Sequence, residues 1–252
     1  MTEGMQWIES SEEVLGKIND TVWKYAETGL KEKRSSQFLI DILRKYGFDV
    51  EMNVAGMQTA FIARFGSEGP EIGFLAEYDA LPELSQKVAA EKEIEDSCPS
   101  SGHGCGHNTL AAAILGGAIG LSKDIASGGL KGRVTIFGCP AEELLIGKVK
   151  MAEAGVFNSC SILFSCHPND VSYVWARTSC AVWSGKFSFS GVTAHAAIDP
   201  YNGRSALDAV ELMDVGANYL REHVTSDVRI HYVITDGGRV PNVVPAKAEV
   251  WY

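Results

Sequence analysis

The sequence predicts an α/β fold: a largely parallel-sheet sandwich followed by a smaller α+β unit. Three observations carry this. Short apolar runs alternate with segments of helical period between residues 49 and 164, Gly and Pro punctuate them, and after about residue 182 the order changes to strand, long helix, strand, strand. The units are expected at residues 1–182 and 183–252.

Taken in order, residues 10–46 predict two helices, because Val14, Ile18, Val22 and Trp23, then Phe38, Leu39, Ile42 and Leu43, recur at helical spacing before Gly47 supplies a stop. Strand-like runs follow at 49–54, 59–65 and 72–76. Residues 84–104, with Glu91, Glu93, Glu95, Asp96, Cys98 and Pro99, read as an exposed loop. Leu110 to Lys123, rich in Ala, Leu and Ile, predicts a buried helix. A strand at 134–137, a helix near 149–154 and a buried strand at 161–164 complete the first unit. The second has a strand at 182–189, an amphipathic helix at 205–223 and strands near 228–235 and 246–252.

Composition narrows the function. The chain has 252 residues, 46% of them apolar, with 32 acidic against 22 basic side chains and a net charge of −10. That balance argues against a nucleic-acid partner, whose phosphates draw on clustered Lys and Arg. The start of the chain lacks a secretory pattern, and the longest apolar run, 109–121, is short and glycine-rich, so a cytoplasmic protein without a membrane partner is expected. Six cysteines, at 98, 105, 139, 160, 166 and 180, lack a disulfide-framework spacing and read as thiols or metal ligands.

Three segments bring ligand-type side chains to the ends of predicted strands or the start of a helix, where open α/β sheets hold their sites. In Gly102-His103-Gly104-Cys105-Gly106-His107-Asn108, a thiolate and an imidazole stand two residues apart, a donor set suited to zinc; a glycine-rich helix-capping turn explains the same residues. In Cys139-Pro140-Ala141-Glu142-Glu143, two carboxylates follow an apolar strand. On extended backbone they would point opposite ways, one to a metal and one to a water; alternatively they are an acidic first turn. In Cys166-His167-Pro168, a histidine closes a strand. Together Cys105, His107, Glu143 and His167 supply four mixed N, O and S donors. Asp79 reads as closing a strand into a Leu-Pro turn, Arg204 as opening the long helix, and His103 as structural.

These motifs, with Glu77-Tyr78-Asp79-Ala80-Leu81-Pro82, Met151 to Phe157, Gly203 to Asp208 and Pro241-Asn242-Val243-Val244-Pro245, resemble the amidohydrolase branch of the M20 metallopeptidase family. The resemblance implies a catalytic sandwich with an inserted lid and dimerisation domain, within which this chain ends. It implies two divalent metal ions, Mn2+ or Zn2+, held by Cys105, His107, Glu143 and His167 and by a further histidine beyond Tyr252. It also implies Glu142 as general base, His195 steadying an oxyanion in a neighbouring protomer's site, and Asn242 as substrate-binding. The implied substrate is a small N-acyl amino acid, such as an aromatic acyl-glutamate, and the implied assembly a homodimer. Where relatives carry several glycines after the paired glutamates, this chain has Leu144, Leu145, Ile146 and a single Gly147, which predicts a bulkier loop. Two other readings stay open: a non-catalytic metal-binding or dimerisation module, and a zinc-dependent oxidoreductase, against which the absence of a GxGxxG turn counts.

Overall fold

The computed structural model describes residues 1–89, 91, 93, 100–176 and 178–252, which form two compact units, residues 1–172 and 173–252. Each is described by itself. Cys98, Glu95, Asp96 and Pro99 of the acidic loop lie outside the described residues.

The first unit opens with three helices, α1 (Glu3–Ser10), α2 (Glu12–Tyr25) and α3 (Lys33–Lys45), one more than the periodicity predicts. Thr2 caps α1 by accepting the Met5 N–H, a local signal for a helix too short to show a period. Then come β1 (Asp49–Met52), β2 (Phe61–Phe65), β3 (Glu71–Ala76), α4 (His107–Ala126), β4 (Arg133–Gly138), α5 (Gly147–Glu153) and β5 (Ile162–Phe164). The sheet order is β1-β2-β4-β3-β5. The β4-β3-β5 part is parallel, as expected of β-α-β connections; β1 and β2 join it antiparallel. The β3–β4 register pairs Ala76 with Gly138, so both strands release their chains at the same end of the sheet.

The core lies between this sheet and the helices. Ile18, Leu39, Leu43, Phe61, Leu110, Leu115, Ile119 and Ile136 are buried there. At 20 residues α4 is longer than its apolar run and is long and apolar enough to cross a membrane. Over half of it is buried in this unit, the pattern of a core helix. Leu115, at 0% exposure, tests its weight: Leu115→Ala is expected to lower unfolding free energy by about 2–5 kcal/mol, read from urea denaturation midpoints.

The predicted buried strand at 161–164 is instead the sheet edge, and Ile162, Leu163 and Phe164 are exposed, because β5 has β3 on one side and, among the described residues, no strand on the other.

The second unit contains β6 (Lys186–Ser190), α6 (Ala206–Leu220), β7 (Val233–Asp236) and β8 (Lys247–Trp251), with β8 central in an antiparallel sheet of order β6-β8-β7. Ser205, whose hydroxyl accepts the Asp208 N–H, caps α6; Ala206 and Val210 pack on Ala248 and Val250.

Candidate metal centre

The site is built where β3 and β4 end and α4 begins. Gly106, the N-cap of α4, sits at φ +79°, a left-handed conformation at little cost to glycine, and delivers His107 as the first helical residue. His107 is fully buried. Its Nδ1 lies 3.0 Å from both the carbonyl oxygen and Oδ1 of Asp79 and donates there, which leaves Nε2 with a bare lone pair. His167 is set the same way: Nδ1 donates to the Pro168 carbonyl at 2.9 Å and Nε2 accepts from the Cys105 thiol, 3.1 Å away. The two rings stand perpendicular, centroids 6.0 Å apart. One ligand atom from each of Cys105, His107 and His167 lies within 4.8 Å of the others, and Glu77, His107 and Glu142 form a second group of the same kind.

The paired glutamates are not on extended backbone. Ala141 and Leu145 both have positive φ, +55° and +56°, and the chain turns between β4 and α5. The Glu143 N–H donates to Asp79 Oδ2 at 3.0 Å, and its carboxylate approaches Cys105. Glu142 Oε2 lies 3.8 Å from His107 Nε2. Gly147 closes the turn so tightly that a Cβ there would meet the Pro140 carbonyl oxygen at 1.7 Å. The Leu144-Leu145 stretch faces outward, both side chains exposed.

Sequence pattern assigned no site role to Glu77 or Lys148, and a turn role to Asp79. Glu77 is buried, with Oε2 3.2 Å from His107 Nε2, and its other oxygen pairs with the Lys148 ammonium, which is also 3.9 Å from Glu142 Oε1. The signal for Glu77 and Asp79 was two acids flanking a tyrosine at the end of an apolar strand. For Lys148 nothing in the sequence named the partner, 71 residues away.

The donor set fits a divalent metal ion. Glu77 Oε2 and His107 Nε2, 3.2 Å apart, are both buried without a hydrogen-bond partner, and Glu143 Oε1 is a further buried oxygen without one. Buried polar atoms are nearly always satisfied, so two facing orphans, a carboxylate oxygen and an imidazole nitrogen, mark a place for a cation. Charge agrees. Burial, then the charge of Glu143 and a hydrogen bond to it, push the Cys105 thiol up to about 12; a cation beside it reverses that balance. Burial raises the Glu143 carboxyl, against the pull of His107. For His107, burial would lower the pKa, but the hydrogen bond and charge of Asp79, with Glu77 and Glu143, raise it overall.

His195 and Asn242 belong to the second unit and are neighbours there: His195 pairs with Val243 through a lone bridge, and the Ala196 N–H donates to the Asn242 carbonyl at 3.0 Å. Both side chains are exposed.

His103 keeps a structural place. It is buried, Nε2 is 3.0 Å from the Val22 carbonyl, and Nδ1 is unpartnered. Burial first, then the charge of His107, push its pKa down to about 4, against the Val22 carbonyl and Asp79. A histidine held neutral in the fold gives stability that is complete above the unfolded value near 6.5 and is lost as pH falls toward 4. Between pH 7 and pH 4 the chain is expected to lose on the order of 3 kcal/mol more stability than His103→Gln, measured by denaturant unfolding at each pH.

No family model matches the chain. Among solved structures it is similar to a dinuclear metal-binding peptidase of the M20 family from Bacillus subtilis, with TM-score 0.59 and 24% identity over 96% of this chain and 64% of that one, a likeness of fold. In sequence it is 40% identical to one of the two subunits of the p-aminobenzoyl-glutamate hydrolase of Escherichia coli over 246 residues, 97% of this chain and 51% of that protein. The chain has the fold of an M20-family peptidase. A mouse Xaa-Arg dipeptidase is 30% identical over 262 residues, 97% of this chain and 56% of the dipeptidase. The chain thus spans about half the length of the curated relatives it matches.

Proposed function

We propose that this chain carries the metal-binding part of an amide-bond hydrolase acting on small N-acyl amino acids, with an aromatic acyl-glutamate as the favoured substrate class. The observation that carries the reading is the convergence of His107 Nε2, His167 Nε2 and Cys105 Sγ, beside a carboxylate pair. The E. coli relative named for p-aminobenzoyl-glutamate hydrolysis supports the substrate class.

In this reading Cys105, His107, His167 and Glu143 hold divalent metal, two ions of Mn2+ or Zn2+. Bound metal polarises the scissile carbonyl and makes water more acidic. Glu142 is one-quarter exposed, so solvent reaches it. Its carboxylate takes a proton from the attacking water and passes one to the departing amine nitrogen. Asp79 fixes the His107 tautomer, and Lys148 offsets part of the charge of Glu77 and Glu142. His195 donates to the developing oxyanion and Asn242 holds the substrate. The products are a carboxylic acid and a free amino acid.

Residues 183–252 act as lid and pair with a second copy, for which Leu212 and Tyr219, highly exposed on α6, give an apolar face. The charge balance and free cysteines support work in the cytoplasm. The test is metal analysis beside an assay of amino-acid release from N-acyl glutamates. Metal-dependent release is expected; bound metal without release would leave the non-catalytic module.

A further inference from the structure

Resting on that reading, we propose that Glu32 is a positioning residue for the Glu142–Glu143 pair, acting through the Ala141 peptide. Glu32 precedes α3 and is fully buried. At that place in a chain, an acidic side chain ordinarily serves the first turn of its own helix. Glu32 makes no such bond. The work is done by Glu27, whose carboxylate accepts the backbone N–H groups of Arg34 and Ser35.

The Glu32 carboxylate is turned instead toward the site. Oε1 accepts the Ala141 N–H at 2.8 Å, across 109 residues, and Oε2 accepts the Thr59 hydroxyl at 3.0 Å. Ala141 is buried and left-handed, a conformation that an L-residue holds only when its surroundings impose it. The next two residues are Glu142 and Glu143, so the orientation of the Ala141 peptide sets where both carboxylates begin. The turn is closed further on by Leu145 N–H to Glu142 O at 2.7 Å and Ile146 N–H to Ala141 O at 3.3 Å. A second strut comes from Tyr78, whose hydroxyl donates to the Thr59 carbonyl at 2.6 Å and which immediately precedes Asp79, the acceptor of Glu143 N–H. Glu32 thus braces the turn from below while touching none of the metal donors.

The test is a cobalt(II) titration of the chain and three variants, reading affinity, the thiolate charge-transfer band and the d–d bands, with thermal melting alongside. Glu32→Leu is expected to weaken cobalt binding by about 10–100-fold, as loss of an outer support does, and to change the d–d intensity as Glu143 leaves. Glu32→Gln retains an oxygen for the Ala141 N–H and should bind within roughly threefold of the unaltered chain. Thr59→Val removes the other partner; it should lower the melting temperature and leave cobalt affinity unchanged. A purely structural Glu32 would make Glu32→Leu and Thr59→Val alike, both less stable and both binding normally, and that result overturns the proposal. Failure of the unaltered chain to take up cobalt overturns the metal reading itself, a distinguishable outcome. Should Glu32→Leu not fold, amide exchange in the unaltered chain decides: a protected Ala141 N–H is required, and free exchange refutes the brace.

Discussion

Glu142→Gln is expected to lower hydrolysis of an N-acyl amino acid by about 10²–10⁴-fold while divalent metal content stays near that of the parent protein. The amide matches the carboxylate in size and keeps an oxygen toward Lys148, whose Nζ lies 3.9 Å from Oε1. What it loses is the capacity to accept a proton. The position suits that role: Oε2 is 3.8 Å from His107 Nε2, and the side chain is open to solvent where Glu77 and Asp79 are not. Glu143→Gln should divide the other way if Glu143 is a ligand, as proposed: its carboxylate has one buried oxygen without a hydrogen-bond partner and also approaches Cys105. Its metal content should fall before turnover per bound ion does. Unimpaired turnover in Glu142→Gln, measured as amino-acid release at saturating metal, would remove Glu142 from the role of base.

The second large effect is at His107. It is common to both donor groups, and its single free nitrogen is the atom each would use. His107→Ala is therefore expected to abolish specific divalent-ion uptake, a loss greater than the roughly 10–100-fold that follows removal of an outer contact. Stability should suffer too. The buried ring leaves a cavity, and Asp79 and Glu77 lose the group between them, so a cost on the order of 3 kcal/mol is expected. Equilibrium dialysis against zinc or manganese, with denaturant unfolding in chelator, measures the two separately. Normal stoichiometry in His107→Ala would mean that the convergence of donors has another cause.

How much of this could be read from the sequence depends on how far apart the interacting residues lie. The α4 helix was visible because its apolar residues recur along one continuous stretch, and the alternation of strands and helices gave the parallel β4-β3-β5 core. Cys105, His107, Glu143 and His167 stood out as ligand-type residues at element ends. The supporting shell did not, because its partners are fixed by topology: Asp79 meets His107 across 28 residues, Lys148 meets Glu77 across 71, and Glu32 meets Ala141 across 109. Asp79 in a Leu-Pro turn has a sufficient local explanation, and that explanation hides its contact with the imidazole. The predicted strand at 182–189 begins at Lys186 for a related reason: Val182 and Trp183 are apolar, but the ladder with β8 starts only where Lys186 faces Trp251. The paired glutamates were misread in geometry, since alternation presumes extended backbone and two left-handed residues turn the chain there.

The pairing of Ala76 with Gly138 has a consequence for assembly of the protein. Glu77 and Asp79 lie just past one strand, and Glu142 and Glu143 a short way past the other. A slip of one residue between these strands would exchange their inward and outward side chains, carrying the acids away from His107. A chain zipped up one notch out of step could still bury much of its oily interior, yet it would have nowhere to seat an ion. Uptake of a metal ion by the folded chain would thus report that these two strands are correctly matched.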